Sequence, residues 1–184
     1  MIRSIFISLL FFCSIAASAQ TYFTKTSRIT FFSKSTLENI EANTNEATSF
    51  LDAKKGEVVF AALIKSFKFK KALMEEHFNE NYMESNTFPK ANFKGLISDL
   101  DKINFFKDGS YAVIIKGDLT IHGVTKNIEL PATINIVKDK INATSKFVIK
   151  LKDYNIKIPA AVANNISENI TITIDCKYDL FKKG

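Results

Sequence analysis

Residues 116–126 read KGDLTIHGVTK and have the pattern of two β-strands joined by a tight turn. Leu119 and Ile121 alternate with polar residues, which is typical of a strand with one buried face. His122 and Gly123 stand where the chain must reverse, and glycine adopts the positive φ of a tight turn at little cost. The segment therefore predicts a β-hairpin.

The same alternation recurs about eight times along the chain, and turn residues separate the runs. The signal is weak over residues 37–50, and residues 153–168 form a connection long enough to act as a lid or a plug. Eight strands are about the number at which a closed sheet either fills with side chains or holds one elongated ligand. We therefore expect a mainly β protein, an eight-stranded antiparallel barrel.

One amphipathic helix is predicted over residues 71–82. Met74, Phe78 and Tyr82 are spaced at i, i+4 and i+8, so they share one face. Pro89 marks the end of this segment, because proline disfavours helical geometry in the residue before it. We expect the helix to cover the outer face of the strand at residues 57–64, which is apolar on both faces.

Residues 117–126, GDLTIHGVTK, resemble the most distinctive motif of the YceI-like family. These are secreted bacterial proteins with a lipocalin-like barrel, and some bind polyisoprenoid lipids. Residues 73–93 resemble the helix-then-strand segment of the family, residues 147–159 its penultimate strand and loop, and residues 166–178 its closing strand.

The resemblance implies a single lipocalin-like domain over residues 20–184. It also implies a polyisoprenoid, isoprenoid quinone or fatty-acid-like ligand. Residues 34–52 lack the glycine-phenylalanine and aspartate-proline features of better-studied members, and this stretch builds the early strands of the barrel.

Residues 1–19 have the layout of a secretory signal peptide. A basic start with Arg3 precedes a short apolar core and the small residues that end at Ala19. Cys13 suggests a lipoprotein alternative, but the two phenylalanines before it fit that cleavage poorly. We expect cleavage after Ala19 and a periplasmic or secreted protein.

The composition excludes some partners. Removal of Arg3 with the leader lowers the formal net charge from +6 to +5, and the lysines are spread singly along the strands. Basic residues do not interleave with stacking aromatics, so we expect no nucleic-acid partner. Without Cys13, Cys176 is the only cysteine, so no intrachain disulfide forms and we expect a buried, unreactive thiol.

Candidate chemistry is sparse. His77 and His122 are the only histidines, and no spacing of ligands typical of zinc is present. His122 reads as a polar turn residue. The sequence also lacks a nucleophile elbow, a phosphate-binding glycine loop and a zincin motif. We therefore expect no catalytic residues, no metal and no cofactor beyond a bound lipid.

The inward positions of the predicted strands are apolar. They describe either a packed core or a cavity along the barrel axis that holds a hydrocarbon chain. His77 and Asn81 are candidates for contact with a polar head group. The candidate lumen residues are Ile29, Phe31, Phe60, Phe93, Leu119, Ile121, Phe147, Ile149, Ile170 and Ile172.

The leading hypothesis is an exported protein that carries or sequesters one amphiphilic lipid. Contact with membranes is then transient at most, and a homodimer is left open. The alternative is a non-catalytic protein-interaction barrel with a closed core, which would expose an apolar patch between Ile158 and Val162. A third hypothesis is an enzyme acting on a lumenal lipid, which would need a perturbed acid, base or nucleophile on the cavity wall.

Overall fold

The computed structural model describes residues 20–35, 38–138, 140–162 and 165–181. The leader predicted over residues 1–19, which includes Cys13, lies outside these residues. Within the described part, no helix has the length and apolar character needed to cross a lipid bilayer.

The described residues are mostly strand. Short 3₁₀ turns at Ile64–Ser66, Leu100–Lys102, Leu151–Tyr154 and Ala160–Val162 lie in the connections. The helix α1 spans Ala72–His77. The strands are β1 (Thr21–Ser33), β2 (Ile40–Asp52), β3 (Glu57–Leu63), β4 (Lys68–Phe69), β5 (Lys90–Ile97), β6 (Gly109–Ile121), β7 (Val124–Val137), β8 (Lys140–Lys150) and β9 (Asn169–Leu180).

The sheet is antiparallel and closes on itself. Its strand order is β1-β9-β8-β7-β6-β5-β3-β2, and β1 pairs with β2 as well as β9. Phe31 of β1 thus lies opposite Ala42 of β2 and opposite Ile172 of β9. The two-residue β4 pairs with β2 and with no other described strand. Eight long strands therefore form a closed antiparallel barrel, which confirms the predicted fold class.

The predicted hairpin joins β6 to β7. Ile121 pairs with Val124, so His122 and Gly123 form a two-residue turn with φ of 49° and 73°. Positive φ at both central residues is the geometry that matches the twist of the two strands. A Cβ at Gly123 would also lie 2.6 Å from the ring of Phe88, so a side chain at this position would displace that ring.

The helix begins at Ala72, one residue after the predicted start. It is α-helical to His77 and continues in wider π-helical turns over Phe78–Tyr82. It does not cover the outer face of β3, where Val59 and Leu63 are 36% and 46% exposed. Instead, its apolar stripe faces the interior of the barrel at one end, which we call the helix end.

The two ends of the barrel differ in packing. The far end, away from the helix, is filled by Leu51, Ile134, Ile136 and Ile141, each at most 2% exposed. Such side chains pack the barrel interior at this end. The interior cavity lies instead towards the helix end.

β7 and β8 pair along only part of their length. Their ladder runs from the turn to the pair Ala132–Ser145. Ser145 Oγ donates a hydrogen bond of 2.8 Å to the carbonyl of Pro131, so that carbonyl faces β8. The nitrogen of Pro131 faces the same way but carries no hydrogen, so the ladder ends there.

We predict that Gly117→Ala destabilises the barrel. A Cβ at this position would collide with the backbone of Lys94 and Gly95 on the neighbouring strand. Because backbone cannot rotate aside, we expect the free energy of unfolding to fall by about 1–3 kcal/mol, measured by urea denaturation.

The matched control is Gly109→Ala on the same strand. Its Cβ would lie 2.9 Å from the hydroxyl of Tyr111, the far end of a flexible side chain. We expect a loss below about 1 kcal/mol. Equal losses in the two variants would contradict the proposed close contact of β5 and β6.

Candidate functional site

A cavity of about 340 Å³ lies inside the barrel towards the helix end. Its wall combines inward residues of the strands with the apolar stripe of the helix. All ten residues that the sequence analysis placed in the lumen line this cavity; their contact with a ligand remains a prediction. They are Ile29, Phe31, Phe60, Phe93, Leu119, Ile121, Phe147, Ile149, Ile170 and Ile172.

Sequence reasoning missed other parts of the wall. Ile174, Cys176 and Tyr178 continue the alternation of β9 and also line the cavity, so the signal for them was present. Phe67 and Phe69 line it from the connection between β3 and the helix, where no periodic pattern marks an inward residue.

The two head-group candidates are placed differently. His77 lines the cavity, although its side chain is largely exposed. Asn81 is exposed and is not among the lining residues. Successive helical residues point about 100° apart, so Asn81 turns away when its neighbour Tyr82 faces inwards.

The cavity is aromatic at the helix end, which we call its mouth. We call Phe31, Phe67, Phe69 and Phe78 the phenylalanine cluster. The ring of Phe78 lies 5.3 Å from that of Phe31, 5.8 Å from Phe67 and 5.0 Å from Phe69, measured between centroids. Contacts at this spacing contribute beyond their buried area, so the cluster fixes the helix over the barrel.

Ion pairs assist this placement. Lys68 Nζ lies 2.8 Å from Glu75 Oε1, and the amide of Phe69 donates to Glu75 Oε2 at 3.3 Å. The hydrogen bond from Lys68 lowers the pKa of the Glu75 carboxyl. Because exposed ion pairs contribute little to stability, the phenylalanine cluster carries most of the attachment.

His122 connects three segments at the helix end. Its Nδ1–H donates to the carbonyl of Tyr154 at 3.1 Å, and its Nε2 lies 3.6 Å from Glu84 Oε2. Its ring packs edge-on against Phe88 at 4.5 Å. The side chain therefore holds the β6–β7 turn to the loops that follow the helix and β8. Among the described residues, no three His, Cys, Asp or Glu side chains are grouped to hold a metal ion.

The inner end of the cavity is polar. Ser49 Oγ donates to the carbonyl of Val59 at 3.1 Å and lies 2.6 Å from the hydroxyl of Tyr178. Burial raises the pKa of Tyr178 well above its usual value, so this phenol stays protonated. Burial also raises the pKa of the Cys176 thiol, although the hydroxyls of Ser27, Tyr178 and Ser49 act in the opposite direction.

A family model described as the YceI-like domain matches residues 21–178. The chain belongs to the YceI-like family. This agrees with the resemblance carried by the β6–β7 hairpin.

Solved structures share the YceI-like fold. A polyisoprenoid-binding domain from Saccharophagus degradans, implicated in plant cell wall breakdown, has a TM-score of 0.76 at 15% identity; the match covers 89% of this chain and 99% of that one. BcnA from Burkholderia cenocepacia has a TM-score of 0.68 at 17% identity, covering 83% and 96%. The YceI protein of Campylobacter jejuni has a TM-score of 0.62 at 20% identity, covering 80% and 88%. None of the curated protein sequences matches the chain.

We predict that Phe78→Ala loosens the helix of this YceI-like barrel. The change removes three ring contacts of the phenylalanine cluster. We expect the free energy of unfolding to fall by about 1–3 kcal/mol in urea denaturation, with faster hydrogen exchange of the helix amides. Leu73→Ala, on the same helix but 60% exposed, is the control and should change little. Similar effects of the two changes would show that the cluster does not anchor the helix.

Proposed function

We propose that the protein is an exported lipid-binding protein that holds one amphiphilic isoprenoid or fatty-acid-like molecule in the barrel lumen. The supporting observation is the apolar cavity of about 340 Å³, closed at the far end and covered by the phenylalanine cluster at the helix end. The volume lies in the range of small-molecule sites. Each buried CH₂ group contributes about 0.8 kcal/mol, so a hydrocarbon chain binds such a wall without ionic contacts.

Family membership supports the ligand class. The Saccharophagus degradans relative is described as a polyisoprenoid-binding domain. The layout of residues 1–19 supports export to the periplasm or medium. In this proposal the partner is a lipid, contact with membranes is transient, and the protein carries or sequesters its ligand.

A binding role without catalysis is favoured by the wall itself. The titratable side chains among its described residues are His77, Tyr82, Cys176 and Tyr178. Burial raises the pKa of the two tyrosines and of the thiol, so these groups stay neutral near pH 7. Neutral phenols and thiols are weak bases and nucleophiles, which disfavours an enzyme acting on the bound lipid.

The protein-interaction alternative relied on an exposed apolar patch in the loop after β8. Ile158 packs against the core, and Val162 lines the cavity. These two side chains therefore support the lipid hypothesis, since they add to the apolar interior.

We predict that Ala132→Phe blocks lipid binding. Ala132 lies on the cavity wall and is 8% exposed, so a phenyl ring there would fill part of the cavity. We expect the affinity for the fluorescent fatty acid cis-parinaric acid to fall at least about tenfold, measured by fluorescence titration. Ala112→Phe, on the exposed face of β6, is the control and should bind like the unmodified protein. Equal binding by both variants, or none by the unmodified protein, would contradict the proposal.

A further inference from the structure

The polar inner end of the cavity has no role in holding a hydrocarbon chain. We define the hydroxyl floor as Ser27 on β1, Ser49 on β2, and Cys176 and Tyr178 on β9. Ser49, Cys176 and Tyr178 line the cavity, and each is at most 4% exposed. Ser27 is fully buried next to the thiol and is not on the cavity wall.

The hydroxyl hydrogens of Ser49 and Tyr178 are already committed. Ser49 donates its hydroxyl hydrogen to the carbonyl of Val59, so it must accept at the contact with Tyr178. Tyr178 therefore donates to Ser49. Each oxygen retains a lone pair. Ser49 and Tyr178 both line the cavity, and their oxygens can thus accept a further hydrogen bond but cannot donate one.

The protein does not pair all the polar groups it buries here. Among the described residues, the hydroxyl of Ser27 makes no hydrogen bond to nitrogen or oxygen, and its neighbour is the weakly bonding thiol of Cys176. Buried polar groups are normally paired, because an unpaired one carries a free-energy penalty. Polarity at this depth is therefore greater than the packing of the barrel requires.

Charge selects against an acidic group at the floor. The described lining residues include no lysine and no arginine. A carboxylate or phosphate brought to this depth would be buried without a cation, which is strongly unfavourable. The mouth, in contrast, offers the rings of the phenylalanine cluster, which suit a hydrocarbon chain.

We propose that the hydroxyl floor accepts a hydrogen bond from a neutral hydroxyl group of the ligand. The ligand is then a long-chain alcohol, such as a prenol, that lies with its hydroxyl end innermost and its chain under the phenylalanine cluster. This rests on the proposed lipid-binding function and defines the ligand class and orientation within that same cavity.

The test compares geranylgeraniol with geranylgeranial, which have the same chain. The alcohol donates a hydrogen bond, whereas the aldehyde only accepts one. Each displaces cis-parinaric acid from the purified protein, and fluorescence reports the affinity. We expect the alcohol to bind about three- to tenfold more tightly, the value of one neutral hydrogen bond.

Variants locate the source of this preference. Tyr178→Phe removes one of the two accepting oxygens, so it should lower the affinity ratio of alcohol to aldehyde. Ser49→Ala frees the hydroxyl hydrogen of Tyr178, which can then donate to the aldehyde. We therefore expect this variant to lower the affinity ratio of alcohol to aldehyde by improving aldehyde binding. It provides a second test of the floor if Tyr178→Phe does not fold. Tyr111→Phe is the matched control, because that hydroxyl donates to the carbonyl of Asn104 and does not line the cavity.

Three results would overturn the proposal while leaving lipid binding intact. These are equal affinities in the unmodified protein, an unchanged ratio in Tyr178→Phe, or loss of the preference in His77→Ala, which would place the hydroxyl at the mouth. Binding of neither ligand nor of cis-parinaric acid would instead contradict the proposed function itself, and with it this orientation.

Discussion

The cavity depends on closure of the sheet through β1, which pairs with β2 on one edge and with β9 on the other. Closure gives every strand an inner face, and eight strands enclose a lumen just wide enough for side chains or one slender ligand. The size of the inward side chains then decides which of these occurs. Large aliphatic residues such as Leu51 and Ile136 fill the far end, whereas Ala62, Ala132 and Ala143 on the cavity wall leave space.

Access to that space depends on the helix and the loops at one end. The helix is attached through the phenylalanine cluster more than through its ion pairs, since ring contacts at this spacing contribute beyond their buried area. The neighbouring turn is held by His122, which contacts Tyr154, Glu84 and Phe88 together. Both the helix and the turn at this end of the barrel are therefore positioned by side-chain contacts.

Much of the architecture was predictable from period-two alternation. The β6–β7 hairpin followed from Leu119, Ile121 and the turn glycine, and the structure places both strands where this pattern predicts them. The full length of β2 was not predictable, because its inward residues include Ala42, Thr44 and Ser49, which are small or polar. Alternation of apolar residues does not indicate a strand where the inner face lacks large apolar side chains.

The candidate site was likewise predictable from the sequence only in part. The apolar wall could be predicted, since its residues alternate along strands. The hydroxyl floor could not, because the contact between Ser49 and Tyr178 joins residues 129 positions apart and leaves no local pattern. The contacts of His122 were missed for the same reason, since Tyr154 is 32 positions away. The sequence suggested only a polar turn residue there.

In the proposed function, the barrel interior holds an amphiphilic molecule. The most direct measurement is native mass spectrometry of the protein purified without detergent, followed by organic extraction and identification of what is released. We expect a bound lipid, up to one molecule per chain, that the extraction recovers. Protein of bare polypeptide mass, with no lipid in the extract and a lumen filled by its own side chains in a crystal structure, would contradict it.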